Sequence, residues 1–248
     1  MKRLLASTSL CFAMLTAPVL AFDINAMSDA EREVLREEIR AYLMDNPQVI
    51  LESVNQMEAQ KAEQQAQDDV ALVAANADAL FEDGYSWIGG NPEGDVTVVE
   101  FLDYRCGYCR KAHDEVAQLL ESDGDIRLIV KELPILGEAS TVSSRFAIAT
   151  KQIAGDAGYK AVHDALMSFG GDPSAAALGR IAAGLDLDAE AILAHMSSEE
   201  VSNEISQTRA LAQRLQISGT PTFVMGDQLV RGYVPLNAMQ QIVSETRG

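Results

Sequence analysis

Residues 96–120 read Val-Thr-Val-Val-Glu-Phe-Leu-Asp-Tyr-Arg-Cys-Gly-Tyr-Cys-Arg-Lys-Ala-His-Asp-Glu-Val-Ala-Gln-Leu-Leu. No other stretch constrains the fold as much. Its first seven residues are β-branched, aromatic or aliphatic around one acid, Glu100, which predicts a buried strand. Beyond Cys109 the apolar positions Ala112, Val116, Leu119 and Leu120 recur at helical spacing. Cys106, Gly107, Tyr108 and Cys109 therefore stand where a strand passes into a helix N-terminus. Such an end carries partial positive charge and unpaired N–H groups, which favour a thiolate over a thiol. Two cysteines three residues apart in a first turn can also close a short disulfide. Cys106, the outer one, can attack; Cys109, one turn in, can resolve the mixed disulfide.

A Cys-x-x-Cys pair can also be a structural disulfide or half of a zinc site. Zinc normally takes four ligands in closed spacing. The sequence has no second Cys pair, and His113, His163 and His195 stand singly. The redox reading is preferred, with no metal and no cofactor expected.

Residues 1–21 have the form of a cleaved secretory signal: Lys2 and Arg3, an apolar run over residues 4–15, and a small residue at Ala21. The run is shorter than the roughly 20 residues of a membrane span. Of three cysteines, Cys11 lies in this segment, so Cys106 and Cys109 form the one pair beyond it. An exported chain with a single close pair is not a disulfide-stapled scaffold. The expected compartment is a bacterial periplasm, which is kept oxidising. With 19 basic against 37 acidic side chains and a net charge of −18, nucleic acid is excluded as a partner, since phosphate binding needs clustered Lys and Arg.

After the signal, Ser28 and Glu31 form a capping box. Val34, Leu35, Ile39, Tyr42 and Leu43 follow on one helical face. Asp45-Asn46-Pro47 breaks that helix, with Asn46 expected to cap a second one and Pro47 at its first position. The second helix carries Val49, Ile50, Val54 and Met57, turns polar over residues 58–69, and resumes apolar spacing at Val70, Val73, Ala77 and Leu80 before Gly84. Residues 22–83 hold too few large side chains to fold alone. They are read as a helical oligomerisation arm giving a dimer or trimer.

Residues 84–248 form the main domain. A short edge strand near Trp87 precedes the central strand and its helix. Residues 126–130 give a strand in a right-handed parallel βαβ unit. Residues 139–214 are largely helical, with breaks at Gly155, Gly170-Gly171, Gly184 and Ser197-Ser198. A strand over 217–225, a Gly226-Asp227 hairpin turn, its partner over 228–231 and a closing helix complete the chain. Without the helical middle, the order is β-α-β followed by α-β-β-α.

That order, with Val-Glu-Phe-x-Asp-Tyr-x-Cys-Gly-Tyr-Cys, Lys-Glu-Leu-Pro-Ile-Leu-Gly (131–137) and Gly-Thr-Pro-Thr-Phe (219–223), resembles the DsbA-like periplasmic thiol:disulfide oxidoreductases of the thioredoxin superfamily. The implied fold is α/β: a thioredoxin fold with a helical insertion at about 139–205, preceded by the arm. Asp-Asn-Pro-Gln-Val-Ile-Leu-Glu in the arm is similar to the branch of the copper-sensitivity-suppressor protein C, ScsC, whose members oligomerise through it. The resemblance makes Cys106 the attacking and Cys109 the resolving thiol of a redox-active disulfide. It makes Thr220-Pro221 the cis-proline pair facing them, able to hold an extended substrate like an added strand. It makes Glu100 a buried carboxylate beneath Cys109, able to take that thiol's proton because burial raises its pKa. Lys131 is a candidate partner for Glu100. Tyr104, Arg105 and His113 flank the pair and are read as surface residues. Gly107-Tyr108 with Thr220 is similar to the dimeric disulfide isomerases, which favours shuffling over oxidation. The implied partners are unfolded or misoxidised exported proteins and a membrane redox protein that recycles the pair. The alternatives are a dithiol oxidase served by a quinone-linked membrane partner, and a copper-binding or chaperone protein using the two cysteines as soft ligands.

Overall fold

A computed structural model describes residues 24–248; the signal reading of residues 1–21 lies outside them. The chain divides into two compact units, Met1–Ala59 and Gln60–Gly248.

The first unit opens with a 3-10 turn, Ile24–Ala26, and α1, Asp29–Asp45. The capping box is formed: the Ser28 backbone N–H donates to Glu31 Oε2 at 2.8 Å, and the Glu31 N–H to Ser28 Oγ at 3.4 Å. Asn46 departs from its expected role. Its backbone and side-chain amides both donate to the Tyr42 carbonyl at 2.9 Å, so it closes α1 instead of capping α2, Gln48–Ala75. The last carbonyls of α1 have no intrahelical donors, and an Asn amide can supply them. No residue of α1 is buried. Its apolar stripe faces outward, with Val34 66% and Tyr42 57% exposed.

The second unit holds the end of α2, then α3 (Ala77–Phe81), β1 (Trp87–Gly90), β2 (Val96–Leu102), α4 (Gly107–Asp123), β3 (Ile126–Glu132), α5 (Glu138–Ser168), α6 (Ala175–Gly184), α7 (Ala189–His195), α8 (Glu199–Arg214), β4 (Thr222–Met225), β5 (Gln228–Arg231) and α9 (Leu236–Arg247). The sheet order is β1-β3-β2-β4-β5, with β2 and β3 parallel and the other pairs antiparallel. Along the chain, β2-α4-β3 and then α8-β4-β5-α9 follow the expected order β-α-β and α-β-β-α. Gly124, at φ 78°, lets α4 close in a left-handed turn and drop directly into β3. α5 is kinked at Gly155, one of the expected breaks.

Side chains alternate across a strand, so each face of the sheet has its own apolar cluster. Val98 and Leu102 of β2, Leu128 and Val130 of β3, and Phe223 and Met225 of β4 join one cluster with α4, α5 and α9. Val99, Phe101, Ile129 and Val224 join another with Val73, Leu80, Leu211 and Leu215. Each large aliphatic side chain buried here contributes roughly 1.5–3 kcal/mol. The boundary expected at residue 83 therefore falls inside the larger unit. Val73 and Leu80 are core residues, and Asp69 accepts a two-point contact from Arg231 at 2.6 and 2.9 Å.

Candidate active site

β2 delivers the chain to Cys106 through a short turn fixed by Asp103. The buried Asp103 carboxylate accepts the Arg105 N–H at 2.8 Å and, on its other oxygen, the Ile135 and Leu136 N–H groups at 2.8 and 3.0 Å. One side chain thus ties the approach to the cysteines to the loop after β3. Cys106 is the N-cap of α4, and its extended backbone turns the chain into the helix. Both cysteines are buried free thiols, Cys106 with 8% of its surface exposed and Cys109 with none. Cys106 Sγ lies 3.1 Å from the Thr220 carbonyl oxygen, within reach of an S–H donor. The Thr220-Pro221 peptide is cis. The expected strand over 217–225 is shorter in the structure: pairing begins at Thr222. Pro221 has no N–H for the ladder. This leaves Thr220 beside the sulfur, with its Oγ1 buried and unpartnered.

Two acids are buried on the sheet face that packs with Cys109, and the charge of one, Glu100, reaches that thiol. Glu100 is buried on the same face of β2 as Val98 and Leu102, and its Oε1 has no hydrogen-bond partner. Burial, and then the charge of Glu132, push its pKa up to about 8. Burial pushes the Cys109 thiol far above its ordinary value, and the Glu100 carboxylate adds to that rise. The two groups therefore oppose each other's ionisation and are electrostatically coupled.

Lys131 does not partner Glu100. The parallel register sets Glu100 opposite Val130 and Phe101 opposite Lys131, so the lysine points to the other face of the sheet. There it is fully buried, paired with Asp83 and donating to the Ala79 carbonyl at 2.8 Å. The charged group that shares the face of Glu100 is Glu132, level with Leu102. Glu132 accepts from Tyr104 and Tyr159 hydroxyls at 2.7 and 2.6 Å and from Ser144 Oγ at 2.8 Å. Burial raises its pKa to about 7 despite these three donors. Tyr104 is not a surface residue: its ring is buried and its hydroxyl also meets His163 Nδ1 at 3.0 Å. With its proton donated to Glu132, the Tyr104 oxygen can accept from an Nδ1–H of His163. Burial, with His113 and Lys160 nearby, lowers the His163 pKa to about 3.

Sequence reasoning thus missed Asp103, Glu132 and the Tyr104–His163 link. The missed Glu132 had a signal: it follows Leu128 and Val130 at period two, which marks the core face. Around the mouth, Gly107 has open space where a Cβ would be, and the exposed Tyr108 ring lies 6.0 Å from that of Tyr233. Tyr233 is held by Glu115 at 2.5 Å and covered by the Lys111 ammonium at 4.1 Å. Arg105 and Arg110 donate to the Gly171 and Phe169 carbonyls at 2.9 and 2.6 Å, tying the segment just after α5 to the start of α4.

A strand–turn–helix that sets two thiols one helical turn apart, the outer one beside a cis-proline, defines a thioredoxin-type dithiol protein. The chain belongs to the DSBA-like thioredoxin domain family, which matches residues 97–244. Residues 31–64 match the Copper resistance protein ScsC N-terminal domain. The chain is similar to a thioredoxin-like oxidoreductase from Silicibacter pomeroyi, at 45% identity and a TM-score of 0.64 over 68% of this chain and 96% of that one. It is also similar to Proteus mirabilis ScsC in a transitional conformation, at 25% identity and a TM-score of 0.64 over 89% of this chain and 98% of that one. A curated relative, the Na(+)/H(+) antiporter NhaA 3 of Salinispora tropica, is 30% identical over 63% of this chain, which spans about a quarter (24%) of that protein's length. Among the described residues no helix is long and apolar enough to cross a membrane.

Proposed function

We propose that this chain is an exported thiol:disulfide oxidoreductase that isomerises wrong disulfides in periplasmic proteins. The observation that carries the exchange chemistry is Cys106 at the N-cap of α4, its Sγ 3.1 Å from Thr220 O beside the cis-proline, with the fully buried Cys109 one turn further into the helix. Cys106, as thiolate, attacks one sulfur of a substrate disulfide; the S–S bond breaks and the other substrate sulfur leaves as a thiolate. The resulting mixed disulfide has two exits. A second substrate thiol can attack its own sulfur, releasing Cys106 with the substrate disulfide rearranged and no net redox change. Alternatively Cys109 attacks Cys106 Sγ, releasing a reduced substrate and leaving a Cys106–Cys109 disulfide for a membrane partner to reduce. In that second exit Glu100 takes the Cys109 proton, and the Thr220 and Pro221 backbone holds the substrate chain extended.

The preference for isomerisation over oxidation rests on Gly107-Tyr108 and on the arm. The outward apolar residues of α1 and α2, including Val34, Ile39, Tyr42, Ile50 and Leu51, support assembly of two or three copies. An assembly would face several Cys106 sites toward one space and screen them from a membrane oxidase. Activity on scrambled ribonuclease, beside activity on reduced ribonuclease, tests this. Recovery of scrambled enzyme should dominate in the intact protein. Replacing Val34 and Ile39 with Glu should yield monomers in light scattering and remove that advantage. Faster oxidation than isomerisation by an intact oligomer would refute it.

A further inference from the structure

We propose that His113, His163 and Asp164 form a binding site for a zinc-class divalent cation, distinct from the cysteine pair. In the sequence these histidines stand apart, but the packing of α4 against α5 brings them together, with ring centroids 5.0 Å apart. One ring nitrogen of each histidine and one carboxylate oxygen of Asp164 all lie within 4.8 Å of one another. Ligand atoms on a tetrahedral zinc, at bonds of about 2.0–2.1 Å, stand about 3.4 Å apart. Closure thus asks for movements of about 1 Å. The partly exposed His113 and Asp164 can make them, and His113 Nε2 already stands 3.2 Å from Asp164 Oδ1.

One further observation points to a ligand. His163 is buried, with its ring packed beside Trp87 and Tyr159, and its Nδ1 is committed to Tyr104, whose hydroxyl continues to Glu132. A second nitrogen tied to an outer hydrogen-bonding group is the arrangement that fixes metal-bound imidazoles, and it leaves Nε2 to bind. Asp164 Oδ2 is paired with Lys160, while Oδ1 faces His113 Nε2 at 3.2 Å, so two of the three residues already meet. Two imidazoles and one carboxylate suit zinc or cobalt better than calcium or magnesium, and three protein ligands leave a fourth position open.

This inference is independent of the thiol chemistry, and its test removes the thiols from competition. The full chain is oxidised so that Cys106 and Cys109 are bonded to each other. It is then titrated with Zn2+ by calorimetry and with Co2+ by visible absorption. One equivalent per chain is expected, with the intense d–d bands of low-coordinate cobalt, and the same binding in a Cys106→Ser/Cys109→Ser variant. His113→Ala and Asp164→Asn, both at partly exposed positions and checked by circular dichroism, should each weaken binding at least tenfold. Absence of zinc binding and cobalt bands in the oxidised wild type would overturn the proposal. So would unchanged affinity in the folded variants, or binding that disappears with the cysteines.

Discussion

On one face of β3, Lys131 is paired with Asp83 and donates to a carbonyl; on the other, Glu132 and the neighbouring Glu100 make no ion pair among the described residues. Both arrangements are buried, and both lie on the two central strands. They differ in how the burial penalty is met. Burial alone would raise Asp83, yet the Lys131 and Ser86 contacts hold it below the ordinary carboxylate range. That pair stays charged and serves to join the segment before β1 to the sheet. Glu100 lacks such partners, so it meets the penalty by taking up a proton, and its pKa moves to about 8. A carboxyl that gains and loses a proton near neutrality can serve chemistry, and a locked ion pair cannot. The face carrying the labile acids is the one that supports Cys109.

Breaking the pair should have the largest effect. Asp83→Ala leaves the Lys131 ammonium buried with one carbonyl, and should destabilise the protein by about 3–5 kcal/mol. Urea unfolding measures this, and exchange activity per folded molecule should be retained. A loss of activity without a loss of stability would erase the contrast between the two faces.

Glu100→Gln is the converse change, sparing the fold and slowing the chemistry. Release of a mixed disulfide through Cys109 should slow about a hundredfold, the size of a modest general-base contribution. Its dependence on pH near 8 should vanish. Rapid-quench separation of the mixed disulfide reads both effects. Attack by Cys106 on the substrate, which does not involve the Cys109 proton, should be unchanged.

The same substitution sharpens the comparison at equilibrium, with a smaller effect per pH unit. The folded pKa of Glu100 lies above the ordinary value of 4.5, so folding favours its protonated form. Its contribution to stability is full below about pH 4.5 and is lost as pH rises through about 8. Glu132 and Glu204, raised to about 7 and about 8 by burial, act in the same direction. Stability should therefore fall between pH 5 and 8, by up to about 1.4 kcal/mol per pH unit for each group. Glu100→Gln should flatten that fall; a wild-type stability constant across this range would contradict it.

Much of this site is written locally, and so was legible. The strand, the Cys-x-x-Cys turn and the helix are consecutive, and the period-two position of Glu100 among Val98 and Leu102 marks it as inward. The capping box of Ser28 and Glu31 needs only three residues of spacing. What failed depends on register between distant strands. Lys131 and Glu132 differ by one position, and only the pairing of Phe101 with Lys131 decides which of them meets Glu100. Tyr104 follows an Asp and precedes an Arg, which reads as solvent-facing. Its burial comes from Asp103 anchoring residues 135 and 136, and from a tyrosine, a serine and a histidine on α5. The arm is the reverse case: its apolar stripe is legible, but no residue of α1 is buried.

The central claim is that the two thiols have fixed and different roles, with Cys106 meeting the substrate. It is tested most directly by trapping. Cys109→Ser and Cys106→Ser proteins, each reduced and mixed with a scrambled disulfide substrate, are quenched with acid and alkylated, and the adducts are mapped by mass spectrometry. Cys109→Ser should accumulate a long-lived covalent complex through Cys106, and Cys106→Ser should accumulate none. A substrate complex through Cys109 of comparable yield would contradict the assignment of the two sulfurs.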